Sequence, residues 1–253
     1  MTSLLSVYWS ALHGQAEGLE YIRRLQPRDV LILDPDVQHV IDAHEASPES
    51  EITLRRWEWD DGRTRDNQHG VYKRIADDPE GAADWVIANY MSMVTAMEAE
   101  ARRRGRRFPA REQLTLHLVN EPDSNYILPA LNRHTIRACQ QARAHGVKLD
   151  GLNLSTGHPA ILNANGEPDW SPLYGALEAL AAAGHYAVTH EYTNSLGIQN
   201  TVPWHIGRHT KWAPRIPGLK WKIGEFGVEE LVNGHMDDHH GWQGRISPDQ
   251  MVA

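Results

Sequence analysis

A parallel α/β barrel of the (β/α)8 type is the fold this sequence predicts, and three observations carry the prediction. Seven short apolar runs alternate with helical stretches along the chain, the pattern of strands joined by helical crossovers. Polar and aromatic residues gather where those runs end, and a barrel builds its site at the C-terminal ends of its strands. An open doubly wound sheet would fit the alternation too. However, the Gly-rich phosphate turn that usually follows the first strand of such a nucleotide-binding sheet is missing. The 253 residues are expected to form one domain, 1–253, long enough to bury a substantial core.

The elements follow in order. LLSVYWSA (4–11) reads as a strand and QAEGLEYIRRL (15–25) as a helix. VLILDPD (30–36) is nearly continuous in its apolar residues, as in a strand buried on both faces. VQHVIDAHEA (37–46) is the next helix and ITLRRWEW (52–59) the third strand. From Pro79 to Arg104, apolar residues recur at helical spacing, with Gly105 at the C-cap and Pro109 soon after. QLTLHLVNEP (113–122) is the fourth strand, 128–145 a helix, and KLDGLNLST (148–156) the fifth strand. A helix over 171–183 leads to HYAVTHEY (185–192). A long connection, with a short helix expected over 203–212, reaches LKWKIGEFG (219–227). Beyond it the sequence shows loop and the start of a helix, so no eighth strand is visible. The barrel is expected to be truncated before that strand, with the native chain continuing past Ala253 or a partner chain covering the open edge.

Composition narrows the function. With 25 basic against 33 acidic residues, the net charge is −8, unsuited to gripping phosphate backbones. The run Arg102, Arg103, Arg104, Arg106 and Arg107 ends the longest helix, where cations complement the helix dipole. No nucleic-acid partner is expected. Nor is a membrane span, since no apolar run approaches about 18 residues. No signal peptide is visible, so the protein is expected in the cytoplasm unless its leader is absent. The single cysteine, Cys139, leaves no intramolecular disulfide or Cys-rich zinc site, and mid-helix it reads as a small buried residue. His235, Asp237, Asp238, His239 and His240 read as a solvated turn, so neither metal nor cofactor is expected. Nine tryptophans against two phenylalanines suggest that some indoles face a ligand.

Two carboxylates stand out by position. Glu121 ends the fourth run and Glu225 the seventh, 104 residues on, so both would project into one barrel mouth. Strand alternation puts Glu121 on the face of Thr115, His117 and Val119, and leaves Leu114, Leu116 and Leu118 to the helix layer. The same alternation turns Lys222 away from the interior if Glu225 faces it. Two carboxyl groups across a cleft are the minimum for glycoside hydrolysis: one protonates the leaving oxygen, the other attacks the sugar or activates water. Trp57, Trp59, Trp204 and Trp212 sit at strand ends or in loops and suit sugar stacking. Trp204 with His205 is the strongest pair, and His158 follows the fifth strand.

Asn120-Glu121-Pro122 on strand four, His190-Glu191-Tyr192 on strand six and Gly224-Glu225-Phe226-Gly227 on strand seven together resemble the clan A glycoside hydrolases. These are (β/α)8 retaining enzymes, and the motifs are most similar to those of family five cellulase- and mannanase-like members. The resemblance spans strands three to seven. It implies Glu121 as acid/base, Glu225 as nucleophile and Asn120 as ligand of the sugar 2-hydroxyl. It further implies Tyr192 as a hydrogen-bond donor to the nucleophile and His190 as a wall of the site. Either Arg55 or Arg56 would hold Glu225 ionised. The tryptophan that usually floors the sugar site on strand eight has no counterpart. The function expected is therefore a retaining β-glycosidase acting on an oligo- or polysaccharide. A non-catalytic carbohydrate-binding or structural barrel is the alternative, and a metal-dependent hydrolase using the His-rich loop is a third.

Overall fold

A computed structural model of the chain describes residues 6–10, 15–56, 65–122, 127–193 and 214–228. Seven strands are seen among them: β1 (Ser6–Ser10), β2 (Asp29–Leu33), β3 (Glu51–Arg55), β4 (Leu114–His117), β5 (Lys148–Leu154), β6 (Tyr186–Thr193) and β7 (Lys220–Val228). All pair in parallel, in chain order, with β1 and β7 at the two edges. The crossovers carry α1 (Gln15–Leu25), α2 (Val37–Ala46), α3 (Arg65–Asp77), α4 (Pro79–Arg103), α5 (Leu128–His145) and α6 (Tyr174–Ala183). Among the described residues, no helix is long and apolar enough to cross a membrane.

Local signals account for the helix boundaries. Asp36 caps α2 by accepting from the His39 amide at 2.8 Å, and Asp78 caps α4 from the Gly81 amide at 3.0 Å, with Pro79 as the first helical residue. Gly146 and Gly184 end α5 and α6 in the left-handed conformation. The helix expected over 171–183 opens with a 3-10 turn at Ser171–Leu173. Helix α3 is an element that the apolar periodicity does not predict, because its polar Arg65–Gly70 half masks the spacing of Val71, Tyr72 and Ile75. In the basic run at the end of α4, Arg103 and Arg104 bond Glu100, and Arg106 reaches across to Glu45 and Asp42 on α2. Cys139 is buried in α5, and burial pushes its thiol up to about 12.

Alternation along each strand separates two environments. Val30, Ile32, Ile52, Leu54, Leu114, Leu116, Leu149 and Ala187 pack on the helices in one apolar core. The opposite face carries Asp29, Glu51, Thr53, Arg55, His117, Lys148, Asp150, Tyr186 and His190, far more polar than a packed interior usually is. This polar face is concave. On a flat sheet, β3 and β7 would stand about 19 Å apart at the usual strand spacing, yet Arg55 on β3 bonds Glu225 on β7. Contacts from β7 also reach β2 and β5, so the sheet curls as part of a barrel wall.

Lys222 holds the N-terminal half of that interior together. Its ammonium lies 3.2 Å from Asp150, 3.5 Å from Asp29 and 4.0 Å from Glu51. It also sits 3.4 Å from the Thr53 hydroxyl and 4.1 Å from the centre of the Tyr186 ring. Lys148 and the Tyr186 hydroxyl donate to the same Glu51 oxygen, at 2.6 and 2.8 Å. Thr53 donates to Asp29 at 2.7 Å. One lysine thus touches side chains from β2, β3, β5 and β6.

The inward position of Lys222 corrects the simple alternation that turned it toward the helices. Between β6 and β7 the register slips by one residue: Thr189 pairs with Ile223, but His190 pairs with Glu225. Gly224 is the extra residue, a β-bulge that resets the parity. Lys222 and Glu225, three positions apart, therefore face the same interior. Strand four also departs from expectation. Regular pairing stops at His117, and Val119 joins the apolar core with Leu118 rather than the face of Glu121. Glu225 is not a strand end either, since β7 runs on to Val228.

Replacing Lys222 by methionine is expected to destabilise the fold by about 3–5 kcal/mol, because Asp29 and Glu51 lose a buried counter-charge; urea unfolding measures it. The pH dependence of wild-type stability gives a second check. Burial, with Asp29 and Glu51 nearby and only partly offset by Lys222, raises the Asp150 carboxyl to about 7 from an ordinary value near 3.8. A carboxyl raised on folding stabilises the native state below its unfolded value, and that stabilisation is lost as pH rises through the folded value. Stability should therefore carry a component that falls between about pH 4 and 7, and Asp150→Asn should remove it. An unchanged slope in that variant would disprove the assignment.

Candidate active site

Glu121, His190 and Glu225 converge at the C-terminal ends of the strands. His190 Nδ1 lies 2.8 Å from Glu121 Oε1 and 3.7 Å from Glu225 Oε2. The nearest oxygens of the two carboxylates are no more than 4.8 Å apart. Arg55 bonds the other Glu225 oxygen, Oε1, and so supplies the cation beside that anion. Arg55 ends β3 on the inward parity, which decides between it and Arg56, the residue just past the strand. Exposure separates the roles. The Glu121 and Glu225 side chains are 34% and 21% exposed, whereas His190 and Arg55 are 0% and 3% exposed. The two carboxylates are open to a ligand, and the groups that orient them are buried.

Backbone geometry aims Glu121. It sits at φ 46, a left-handed conformation that side-chain-bearing residues rarely adopt. Its amide donates to the Asn153 carbonyl at 3.0 Å and its carbonyl accepts from the Tyr72 hydroxyl at 3.2 Å. Asn153 is able to present that carbonyl because β5 bulges between Gly151 and Leu154, with Leu152 at φ 72 and Asn153 at φ 44. Asp34, which follows β2, is also left-handed and donates its amide to the Arg55 carbonyl at 2.8 Å. Four of the five left-handed non-glycine residues described therefore gather at the end of the sheet that carries the carboxylates; the fifth, Gln26, closes α1.

Asn120 is buried beside Glu121, with its carbonyl held by the Tyr72 hydroxyl. Its side-chain oxygen lies 3.3 Å from His117 Nε2. Burial, the Arg55 guanidinium and His190 together drive the His117 pKa well below the ordinary imidazole value, so the ring is neutral. An amide oxygen only accepts, so Nε2 carries the proton and donates to it. The amide nitrogen is then the end of Asn120 turned away from His117. Tyr90 in turn holds the His117 carbonyl at 2.7 Å. His117, Tyr72 and Tyr90 were not among the sequence-predicted site residues. The inward parity of His117 was the one available signal, because the tyrosines reach the site from α3 and α4.

Other expected residues divide into those the structure describes and those it does not. His158 is half-buried in the loop after β5, where Thr156 donates to the His190 carbonyl at 3.1 Å. The Tyr192 backbone pairs with Gly227, but its side chain lies outside the described residues. So do Trp57, Trp59, Trp204, His205 and Trp212, and the His235–His240 cluster. The tryptophans that are described serve packing: Trp170 meets Trp221 edge-on at 5.6 Å, and Arg74 stacks on Trp85 at 5.2 Å.

Compared with known proteins, the chain matches no family model and no curated sequence.

The bulge that places Glu225 also brings β7 against His190. A Cβ on Gly224 would come within 2.7 Å of Val188 Cγ1 and 3.0 Å of His190 Nε2. Gly224→Ala is expected to cost about 1–3 kcal/mol through overpacking and to push the buried imidazole out of its position beside the carboxylates. Thermal unfolding reads the first effect, and the 15N shifts of His190 read the second. Wild-type values for both would show that the approach is looser than described.

Proposed function

We propose that the protein is a retaining β-glycosidase built on a (β/α)8-type barrel, acting on an oligo- or polysaccharide. The observation that carries the reading is the pair of half-exposed carboxylates with oxygens no more than 4.8 Å apart, one bonded by a buried arginine and the other by a buried histidine. Retaining enzymes hold their carboxyl groups about 5–5.5 Å apart, whereas inverting ones leave about 6.5–9.5 Å for a water. The motifs of strands four, six and seven support the same reading.

The roles follow from the partners. Glu225, with Oε1 fixed by Arg55, attacks the anomeric carbon through Oε2 as the bond to the leaving oxygen breaks. Glu121 gives its proton to that oxygen, so the leaving sugar departs as an alcohol and a glycosyl ester remains on Glu225. Glu121, now a carboxylate, takes a proton from water as that water displaces Glu225 from the sugar. His190 orients Glu121. Asn120, held by His117, turns its amide nitrogen toward the sugar 2-hydroxyl. The family resemblance further assigns Tyr192 as a donor to the nucleophile. Sugar stacking remains the role proposed for Trp57, Trp204 and His205, whose side chains lie outside the described residues, and His158 is proposed to line the site with them.

Kinetics of the two alanine variants test this assignment. Glu225→Ala should abolish turnover of every glycoside alike. Glu121→Ala should lower turnover of natural sugars by about 10²–10⁴-fold but spare the first step for substrates with acidic phenol leaving groups. Azide should accelerate Glu121→Ala and yield a glycosyl azide of retained configuration. Reversed patterns would exchange the two roles. Binding of polysaccharide by a wild-type chain without turnover would favour a non-catalytic carbohydrate-binding barrel instead.

A further inference from the structure

Three ligand atoms of differing chemistry point at one place: an oxygen of Glu121, Nδ1 of His190 and an oxygen of Glu225. Their separations are 2.8 Å from Nδ1 to Glu121 Oε1, 3.7 Å from Nδ1 to Glu225 Oε2, and at most 4.8 Å between carboxylates. Around a zinc-sized ion with bonds near 2.0–2.2 Å, tetrahedral ligand atoms stand about 3.3 Å apart, close to the middle of that range. About an ångström of movement by the two half-exposed carboxylates would close the set.

From this convergence we propose that Glu121, His190 and Glu225 also form a binding site for a divalent transition-metal ion of the zinc class, and that the ion competes with sugar for the site. The competition rests on the glycosidase reading; the metal site itself does not. Three features favour it beyond a cluster of acids. His190 is wholly buried, and its Nδ1 lies between both carboxylates. Arg55 bonds Glu225 through Oε1, and Oε2 is the oxygen on the His190 side, 3.7 Å from Nδ1. Both carboxylates are partly exposed, so an ion from solvent can reach their oxygens. An imidazole nitrogen with two carboxylate oxygens suits zinc, cobalt or copper, whereas magnesium and calcium prefer oxygen alone. The carboxylates' exposure keeps a fourth position open to water.

Titrating the full chain with Co²⁺ tests the site directly, through the visible absorption of a four- or five-coordinate ion. The expected result is a 1:1 signal that Zn²⁺ abolishes and excess Mg²⁺ does not. Glu121→Gln and His190→Ala should each weaken binding by at least about 100-fold, since losing a ligand exceeds the 10–100-fold typical of losing its supporting partner. Glu121→Gln keeps the inference testable if the buried His190→Ala chain fails to fold. Co²⁺ binding equally to Glu121→Gln and to the parent would overturn the site and assign the ion to other histidines. In glycoside hydrolysis, Zn²⁺ should raise the apparent KM with kcat unchanged, and chelator should reverse it. Hydrolysis without any metal binding would sink this inference and leave the glycosidase standing. Metal binding without hydrolysis of any glycoside would support the site and sink the glycosidase. Hydrolysis that requires the metal would overturn the competition.

Discussion

The extra residue at Gly224 is the constraint on which the rest of the interior depends. A regular strand would send Lys222 and Glu225 to opposite faces. With the bulge, β7 delivers a cation to the lower interior and an anion to the upper one, three positions apart on the same chain. Only glycine tolerates the approach to Val188 and His190 that this step demands. Each charge then binds across the curl: Lys222 to Asp29, Glu51 and Asp150, and Glu225 to Arg55. The curl and the two charge clusters therefore require one another. Without the curl the charges lack partners, and without the partners a polar concave face would be costly to bury.

The two clusters differ in what surrounds them, and the difference separates support from chemistry. The Lys222 cluster lies among buried or half-buried residues. The burial that disfavours Glu51 ionisation is outweighed there by Lys148, Lys222 and Tyr186, which lower its pKa. The burial that would lower the pKa of Lys222 is outweighed by its three carboxylates, which raise it. Such a cluster ties strands together. The upper cluster keeps its supports buried and its carboxylates half-exposed. Left-handed backbone at Glu121, Leu152 and Asn153 adds strain at that end, which the surrounding hydrogen bonds hold in place. A sugar and a metal ion would both respond to the same property, two oriented carboxylates beside an imidazole.

Much of this was legible in the residues. Continuous apolar runs such as VLIL and alternating ones such as LTLHL mark strands whatever the tertiary context. Asp36, Asp78, Gly146 and Gly184 carry the helix boundaries in local chemistry. Glu121 was recognisable because it closes an apolar run, and Glu225 because it interrupts one between Gly224 and Phe226. Helix α3 was missed because the half-turns that bury Val71 and Ile75 follow a polar stretch with no periodicity to read. His117 was placed on the correct face but not in the site, since nothing local to it shows that Asn120 folds back onto it.

What the sequence by itself determined is the set of strands, their parallel α/β class and the positions of Glu121 and Glu225 along the chain. These follow from short-range rules: alternation, capping and apolar spacing act over a few residues. Only the tertiary structure decided that Arg55 rather than Arg56 meets Glu225, that Lys222 turns inward, and that His190 lies between the carboxylates. Each of those depends on contacts between strands far apart in sequence and on a one-residue slip in pairing. A slip of that kind reverses every side chain beyond it, and neighbouring residues carry no sign of it until the strands are paired.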